Sequence, residues 1–165
     1  MSITSFAPSM VGVGGHVYVG IGAGFASLTA PKLSEISINI TAAINGGLTG
    51  PTDVKMKEIQ YYNQTTGQEM VDTRTRKLSK LTLFVDGAAN QTALDALLAE
   101  DHSIGIFIRP FTASATPLAV GDKGDPYNAK IASLVRGGAD ISDKWTIEVE
   151  FAEVTRGALM TALVA

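Results

Sequence analysis

Apolar side chains fall at every second position through most of this chain, which is the spacing of strands. Ile36, Ile38 and Ile40 alternate with Ser37, Asn39 and Thr41, so one face of that segment is buried and the other wet. Gly46-Gly47 and Gly50-Pro51 then interrupt the pattern. Val54 and Met56 resume it between Asp53, Lys55 and Lys57, and the register shifts at Glu58-Ile59 as a β-bulge would shift it. The strand runs on into Tyr61-Tyr62. Asn63 to Gly67 reads as a turn, and a returning arm passes through Met70 and Val71 to Leu81, Leu83 and Val85. This predicts a long hairpin. Its distal part, Gln60 to Lys80, is polar or charged at almost every position and so projects beyond the body of the domain.

The period then changes from two to 3.6. Ala93, Leu94, Leu97 and Leu98 share one face of a helix, with Asn90 as its N-cap and its end near Asp101. Ile104, Ile106 and Ile108 return to strand spacing, interleaved with Gly105, Phe107 and Arg109 and closed by Pro110. A loop of about fifteen residues past Pro117, Gly121, Gly124 and Pro126 leads to an alternating run of Tyr127, Ala129, Ile131, Ser133 and Val135, ending at Gly137-Gly138. The last strand alternates most cleanly. Trp145, Ile147, Val149 and Phe151 point one way, and Thr146, Glu148 and Glu150 the other. Strands, one helix and more strands, without βαβ alternation, predict a mainly β fold. The expected architecture is an antiparallel β-sandwich or barrel with one α-helix packed on it and a long projecting β-hairpin.

Before Lys32 the pattern is different, because the only side chain in this opening stretch that can carry charge near neutral pH is His16. Met10 to Leu28 is long enough to span a bilayer. Six of its nineteen residues are glycine, however, and Val17, Val19 and Ile21 alternate with Tyr18 and Gly20 as a strand would. No Lys or Arg precedes Met10, which disfavours a signal peptide. Residues 1–31 are therefore expected to form an apolar arm covered by its own domain or by a neighbouring subunit. Residues 156–165 are expected to form a short tail to a single domain of 165 residues. A chain of that length buries about 68–70% of its unfolded surface, enough for one core.

Thirteen Lys+Arg against sixteen Asp+Glu give a net charge of −3, which is no basis for gripping nucleic-acid phosphates. There is no cysteine, so disulfides, thiolate metal sites and cysteine nucleophiles are excluded. Gly20-Ile21-Gly22-Ala23-Gly24-Phe25 and Gly12-Val13-Gly14-Gly15-His16-Val17 each lack the third glycine of a dinucleotide-binding turn, and neither leads into a helix. His16 and His102 have no partners at metal spacing. Asp122, Gly124 and Asp125 faintly suggest a calcium loop, but Lys123 intrudes and the closing Glu is missing. Glu148 and Glu150 stand about 7 Å apart on one strand face, where neighbouring carboxylates mark a wet surface rather than a glycosidase cleft. No serine stands in an elbow motif. No catalytic activity, cofactor or metal is expected.

The order of elements resembles the tail tube fold of phage tail proteins, and in particular the major tail tube family of siphovirus-like, long-tailed bacteriophages. The resemblance runs from about Ala30 to Gly157. It is carried by Ala30-Pro31-Lys32-Leu33 before the first strand and by the helix from Asn90 to Asp101 before Ile104 to Phe111. It is also carried by Tyr127-Asn128-Ala129-Lys130-Ile131 through to Arg156-Gly157. It implies a virion tail component, assembled in the host cytoplasm, in which six copies form a ring and stacked rings make a tube for double-stranded DNA. Tape-measure, tail-tip and tail-terminator proteins are the partners it implies. Independent physics agrees that many chains are needed, since a barrel of the six or eight strands one chain supplies is far too narrow for a duplex. Val17, Val19, Ile21 and Phe25 of the arm and Glu69, Asp72, Arg74, Arg76 and Lys77 of the hairpin are the expected subunit contacts. Glu148 and Glu150 are expected to face the lumen. The tube protein of a contractile tail or a type VI-like secretion apparatus, and a virion decoration or carbohydrate-binding β-sandwich, are the alternatives.

Overall fold

The computed structural model describes residues 4–5, 17–44, 52–59, 68–85, 88–113, 115–137 and 145–165, with backbone alone at 4–5, 52–59, 68–76, 88–90 and 145. The expected glycine breaks at 46–51, the continuation into Tyr61-Tyr62 and the turn from Asn63 to Gly67 lie outside the described residues. So does the arm before Val17, apart from Thr4 and Ser5.

The protein is mainly β, with one antiparallel sheet curled into a half-barrel and one short helix. Its strands are β1 (Thr4–Ser5), β2 (Val17–Gly22), β3 (Ile38–Asn39), β4 (Thr52–Ile59), β5 (Gln68–Arg76), β6 (Leu81–Val85), β7 (Ser103–Pro110), β8 (Lys123–Gly137), β9 (Trp145–Arg156) and β10 (Thr161–Ala162), with helix α1 (Ala88–Asp95) between β6 and β7. The large sheet runs β1-β3-β2-β7-β8-β9-β6, and β10 pairs with the start of β8. All its pairings are antiparallel except β1 with β3. β4 and β5 form a separate two-stranded ribbon.

The predicted hairpin thus divides. Its returning arm is two strands, β5 in the ribbon and β6 in the sheet, joined through Lys77 to Lys80. The bulge is also elsewhere than expected. Glu58 and Ile59 pair without a break, while Lys55 faces Thr73 and Met56 faces Val71, so Asp72 is the extra residue and it lies on β5. Two residues on one strand then oppose one step on the other, the usual bulge count.

The core lies inside the curl. Val19 and Ile21 from β2, Ile104 and Ile106 from β7, Ala129 and Ile131 from β8, and Ile147 and Val149 from β9 pack there under Leu94 and Leu98. The helical face expected at Ala93, Leu94, Leu97 and Leu98 is the face that packs. Asn90 is not its cap, however, since the helix begins at Ala88. Regular helix ends at Asp95, and a further turn is held by Leu97 N–H and Leu98 N–H donating to Leu94 O. Asp101 then takes φ 65° and donates to Ile131 O, turning the chain into β7.

Strand alternation usually leaves one face wet, but β2 and β7 are buried on both. Tyr18, Phe25, Ile36, Phe107, Leu118 and Leu163 make a second core on the outside of the curl, with Leu28 and Leu33 against it. Its roof is irregular chain: residues 25–36, the loop 111–122 and the C-terminal segment. The predicted run of Ile36, Ile38 and Ile40 is therefore split, with Ile36 in the outer core and Ile38 and Ile40 in the inner one. On either side of β3, Ser37 N–H and Ile40 N–H still donate to Ile21 O and Val19 O, and beyond Ile40 side chains take over. Thr41 Oγ1 accepts from Val19 N–H at 2.8 Å, and Asn39 Oδ1 accepts from Thr41 N–H at 3.0 Å.

The opening glycines explain how the roof sits so low. A Cβ on Gly22 would lie 1.7 Å from Glu35 O, and one on Gly20 would lie 2.6 Å from Ile36 Cγ2. At Gly22 a second backbone crosses the strand at contact distance, and at Gly20 the Ile36 side chain fills the space a Cβ would take. Gly22→Ala is expected to destabilise the fold by about 3 kcal/mol, because backbone rather than a flexible side chain must move. Urea denaturation of the purified variant measures this, and a midpoint equal to that of the parent would contradict the packing.

Candidate functional site

Three surfaces carry the residues expected to make subunit contacts or to line a lumen. The first, the arm, is corrected by its burial. Val19, Ile21 and Phe25 are 4%, 0% and 5% exposed within this chain's own cores, so they are not free to meet a neighbouring subunit. Their own domain covers them. Phe25 is fixed by an amide acting as a strand: its N–H donates to Asn128 Oδ1 and its carbonyl accepts from Asn128 Nδ2, both at 2.8 Å. Its ring meets Phe107 edge-on at 6.5 Å. Of the four arm residues only Val17, at the strand's start, stays exposed.

The second surface is the ribbon. Backbone pairing puts Glu69 opposite Glu58, Arg74 opposite Val54 and Arg76 opposite Thr52, with Asp72 as the bulged residue. Lys77 follows, exposed, where the chain passes toward β6. Four of the five expected contact residues therefore belong to one strand, and all five to the ribbon or its exit.

The third surface is the wet face of β9. Ile147 and Val149 are fully buried, which forces Glu148 and Glu150 to the opposite side. Glu148 pairs with Thr82 of β6 and Val135 of β8, and Glu150 with Ser133. The face is less acidic than the sequence implies, because Lys80 Nζ forms an ion pair with Glu148. The hydrogen bond that Lys80 donates to that carboxylate, with the charges of Glu148 and Glu150, raises the Lys80 pKa and keeps the ammonium protonated. Glu150 accepts from Ser133 Oγ at 3.3 Å and is exposed. Lys130 with Asp101 at 3.0 Å and Arg136 with Asp95 at 2.7 Å add further surface ion pairs from β8. Each such pair contributes little to stability.

Arg109 was legible only as the residue between Ile108 and Pro110 at a strand's end, yet it organises the outer layer. Its side chain is 2% exposed and lies 5.1 Å from the centre of the Tyr18 ring. Nη1 donates to Asp122 Oδ2 at 2.6 Å and to Pro117 O at 3.2 Å. Nη2 donates to Thr116 O at 2.7 Å and to Ala113 O at 3.2 Å. Asp122 also accepts from Ala119 N–H at 3.0 Å. One buried cation thus gathers a loop that has no strand pairing of its own. Burial raises the Tyr18 pKa, against the opposing pull of the Arg109 charge.

The same geometry accounts for the faint calcium pattern. Asp122 is committed to Arg109, and Asp125 Oδ1 accepts from Met160 N–H at 2.9 Å. Among the described residues no three His, Cys, Asp or Glu side chains are grouped to hold a metal ion, and His102 is exposed. No helix among them is long and apolar enough to cross a membrane. A scan against protein-family models finds no match to this sequence, and a search of curated proteins finds none.

Removing the carboxylate strands a buried charge, whereas removing the arginine frees carbonyls and a carboxylate that water can reach. Asp122→Ala is therefore expected to cost about 3 kcal/mol and Arg109→Met clearly less. Chemical denaturation of both variants checks the order. An Asp122→Ala protein as stable as the parent would show that Arg109 does not depend on its ion pair.

Proposed function

We propose that this chain is a non-enzymatic structural subunit of a hollow tube, of the kind formed by the major tail tube proteins of siphovirus-like phages, through which double-stranded DNA passes. The observation that carries the reading is the ribbon. β4 and β5 are hydrogen-bonded to each other and, among the described residues, to no strand of the main sheet. A two-stranded ribbon is marginally stable in water and gains stability when another surface covers it. A neighbouring copy is the cover this reading supplies. The half-barrel adds support. Its edge strand β6 has, among the described residues, one isolated bridge on its outer side, from Leu83 to Ile44, so the sheet is open to extension by another chain. Closing copies into a ring removes such edges.

On this reading the virion tail is the site of action, assembled in the host cytoplasm, with tape-measure, tail-tip and tail-terminator proteins as partners. The wet face of β9 suits a bore. With Lys80 neutralising Glu148, Glu150 carries the uncompensated charge there, and a weakly acidic wall does not retain phosphate as lysines or arginines would.

The test is the double variant Arg74→Glu/Arg76→Glu. Rim charges set register and association rate more than the fold's own stability. Polymerisation followed by light scattering should fail or slow strongly while the melting temperature stays that of the parent; normal assembly would remove the ribbon from the contact. A second expectation concerns passage of DNA. Particles carrying Glu148→Lys/Glu150→Lys should keep intact tubes but eject DNA more slowly, most of all at low salt, where screening is weakest. Ejection at the parental rate at every salt concentration would put this face outside the bore.

A further inference from the structure

Alternation along β4, together with its register against β5, assigns residues to the two faces of the ribbon. On one face Val54 stands level with Arg74, Met56 with Val71, and Glu58 with Glu69. The bulge at Asp72 is what brings Val71 level with Met56. Arg76 extends the same face beyond Arg74. That face is therefore basic toward one end, apolar in the middle and acidic toward the other. The opposite face is not divided in this way, since Lys55 and Lys57 stand at its centre, level with Thr73 and Met70.

The ribbon's own ladder compensates neither charged end of the divided face. Glu58 and Glu69 are direct cross-strand partners, and like charges so placed are destabilising. Arg74 and Arg76 have Val54 and Thr52 opposite them, with no carboxylate level with either. The pattern is complementary to its own reversal. A second ribbon turned end for end about the row of Met56 and Val71, and laid on the first, sets Glu69 of each copy level with Arg74 of the other. Both rows stand two residues of β4, about 7 Å, from the centre. Glu58 falls beside that pairing, and the apolar row lies on its own copy. Laid in the same direction instead, acid would meet acid and arginine would meet arginine, which opposes association. The lysines of the opposite face would repel a copy of themselves in either direction.

We infer that the β4–β5 ribbon of one copy docks on that of a second, face to face about a two-fold axis through the row of Met56 and Val71. Such a contact is isologous and closes on itself, so it joins two copies and no more. It gives the ribbon of a free subunit the cover that a two-stranded element needs, before any tube supplies another. The pairing rests on the ribbon's register and charge pattern and goes beyond the tube reading.

Sedimentation velocity of the full chain, at concentrations too low for rods, tests the pairing. The parent is expected to sediment as a dimer. Glu58→Arg/Glu69→Arg makes both ends basic and Arg74→Glu/Arg76→Glu makes both acidic, so each variant alone should self-associate at least about tenfold more weakly. Mixed in equal amounts, the two variants should recover one-to-one pairs, because each then presents what the other lacks. Met56→Lys, which sets two lysines at the axis and leaves the charged rows intact, should also yield single chains. A parent that never dimerises, variants that stay separate when mixed, or a dimer indifferent to Met56→Lys would overturn the pairing. Mixed variants that form chains longer than pairs would overturn it too, since the contact would then run in one direction. Rods from a parent that never dimerises would leave the tube reading standing, whereas dimers without rods at any concentration would keep the pairing and remove the tube.

Discussion

The outer layer exists because β2 and β7 are apolar on both faces. A sheet with one wet side needs no roof; this one buries Tyr18, Phe107 and Ile36 against chain that is not strand. Irregular backbone brought into a core must still satisfy its N–H and C=O groups. Here side chains do it. Arg109 takes the carbonyls of Ala113, Thr116 and Pro117, Asn128 takes both backbone groups of Phe25, and Glu35 takes the N–H groups of Ala26 and Lys32. Each polar residue replaces a missing strand neighbour.

That arrangement separates the molecule into parts with different hydrogen-bonded connections. The curled sheet and its roof are tied by hydrogen bonds spanning up to 103 residues of sequence, as between Phe25 and Asn128. The β4–β5 ribbon has only its own ladder among the described residues, and the C-terminal segment beyond Met160 has a short one. A ribbon outside the main ladder is where the proposed repeating subunit would meet its neighbour.

Strand positions were legible because period-two patterning is local. The alternation of Ile104, Ile106 and Ile108, and of Ile147 and Val149 against Glu148 and Glu150, maps directly onto β7 and β9. The helix was legible as a face, through Leu94 and Leu98, but not in its boundaries, since its early end answers to the turn at Asp101. What sequence pattern could not supply was the second core. An apolar arm before Lys32 reads equally as something for a neighbour to cover or as a doubly buried strand. The deciding partners, Phe107, Leu118 and Leu163, are far away in sequence. Arg109 gave no signal for a different reason: its acceptors, though near in sequence, lie on a loop whose residues look like solvent-facing chain. Of the glycines that resemble part of a nucleotide-binding turn, Gly22 marks a backbone crossing and Gly20 makes room for the Ile36 side chain.

The tube proposal is tested most directly by cryo-electron microscopy of the purified full chain concentrated under polymerising conditions. The account predicts hollow rods of stacked six-fold rings, with the face of β9 that carries Glu150 turned to the bore and the β4–β5 ribbon lying against a neighbouring subunit. Only separate single chains at every concentration, or an ordered assembly with no axial channel, would contradict it.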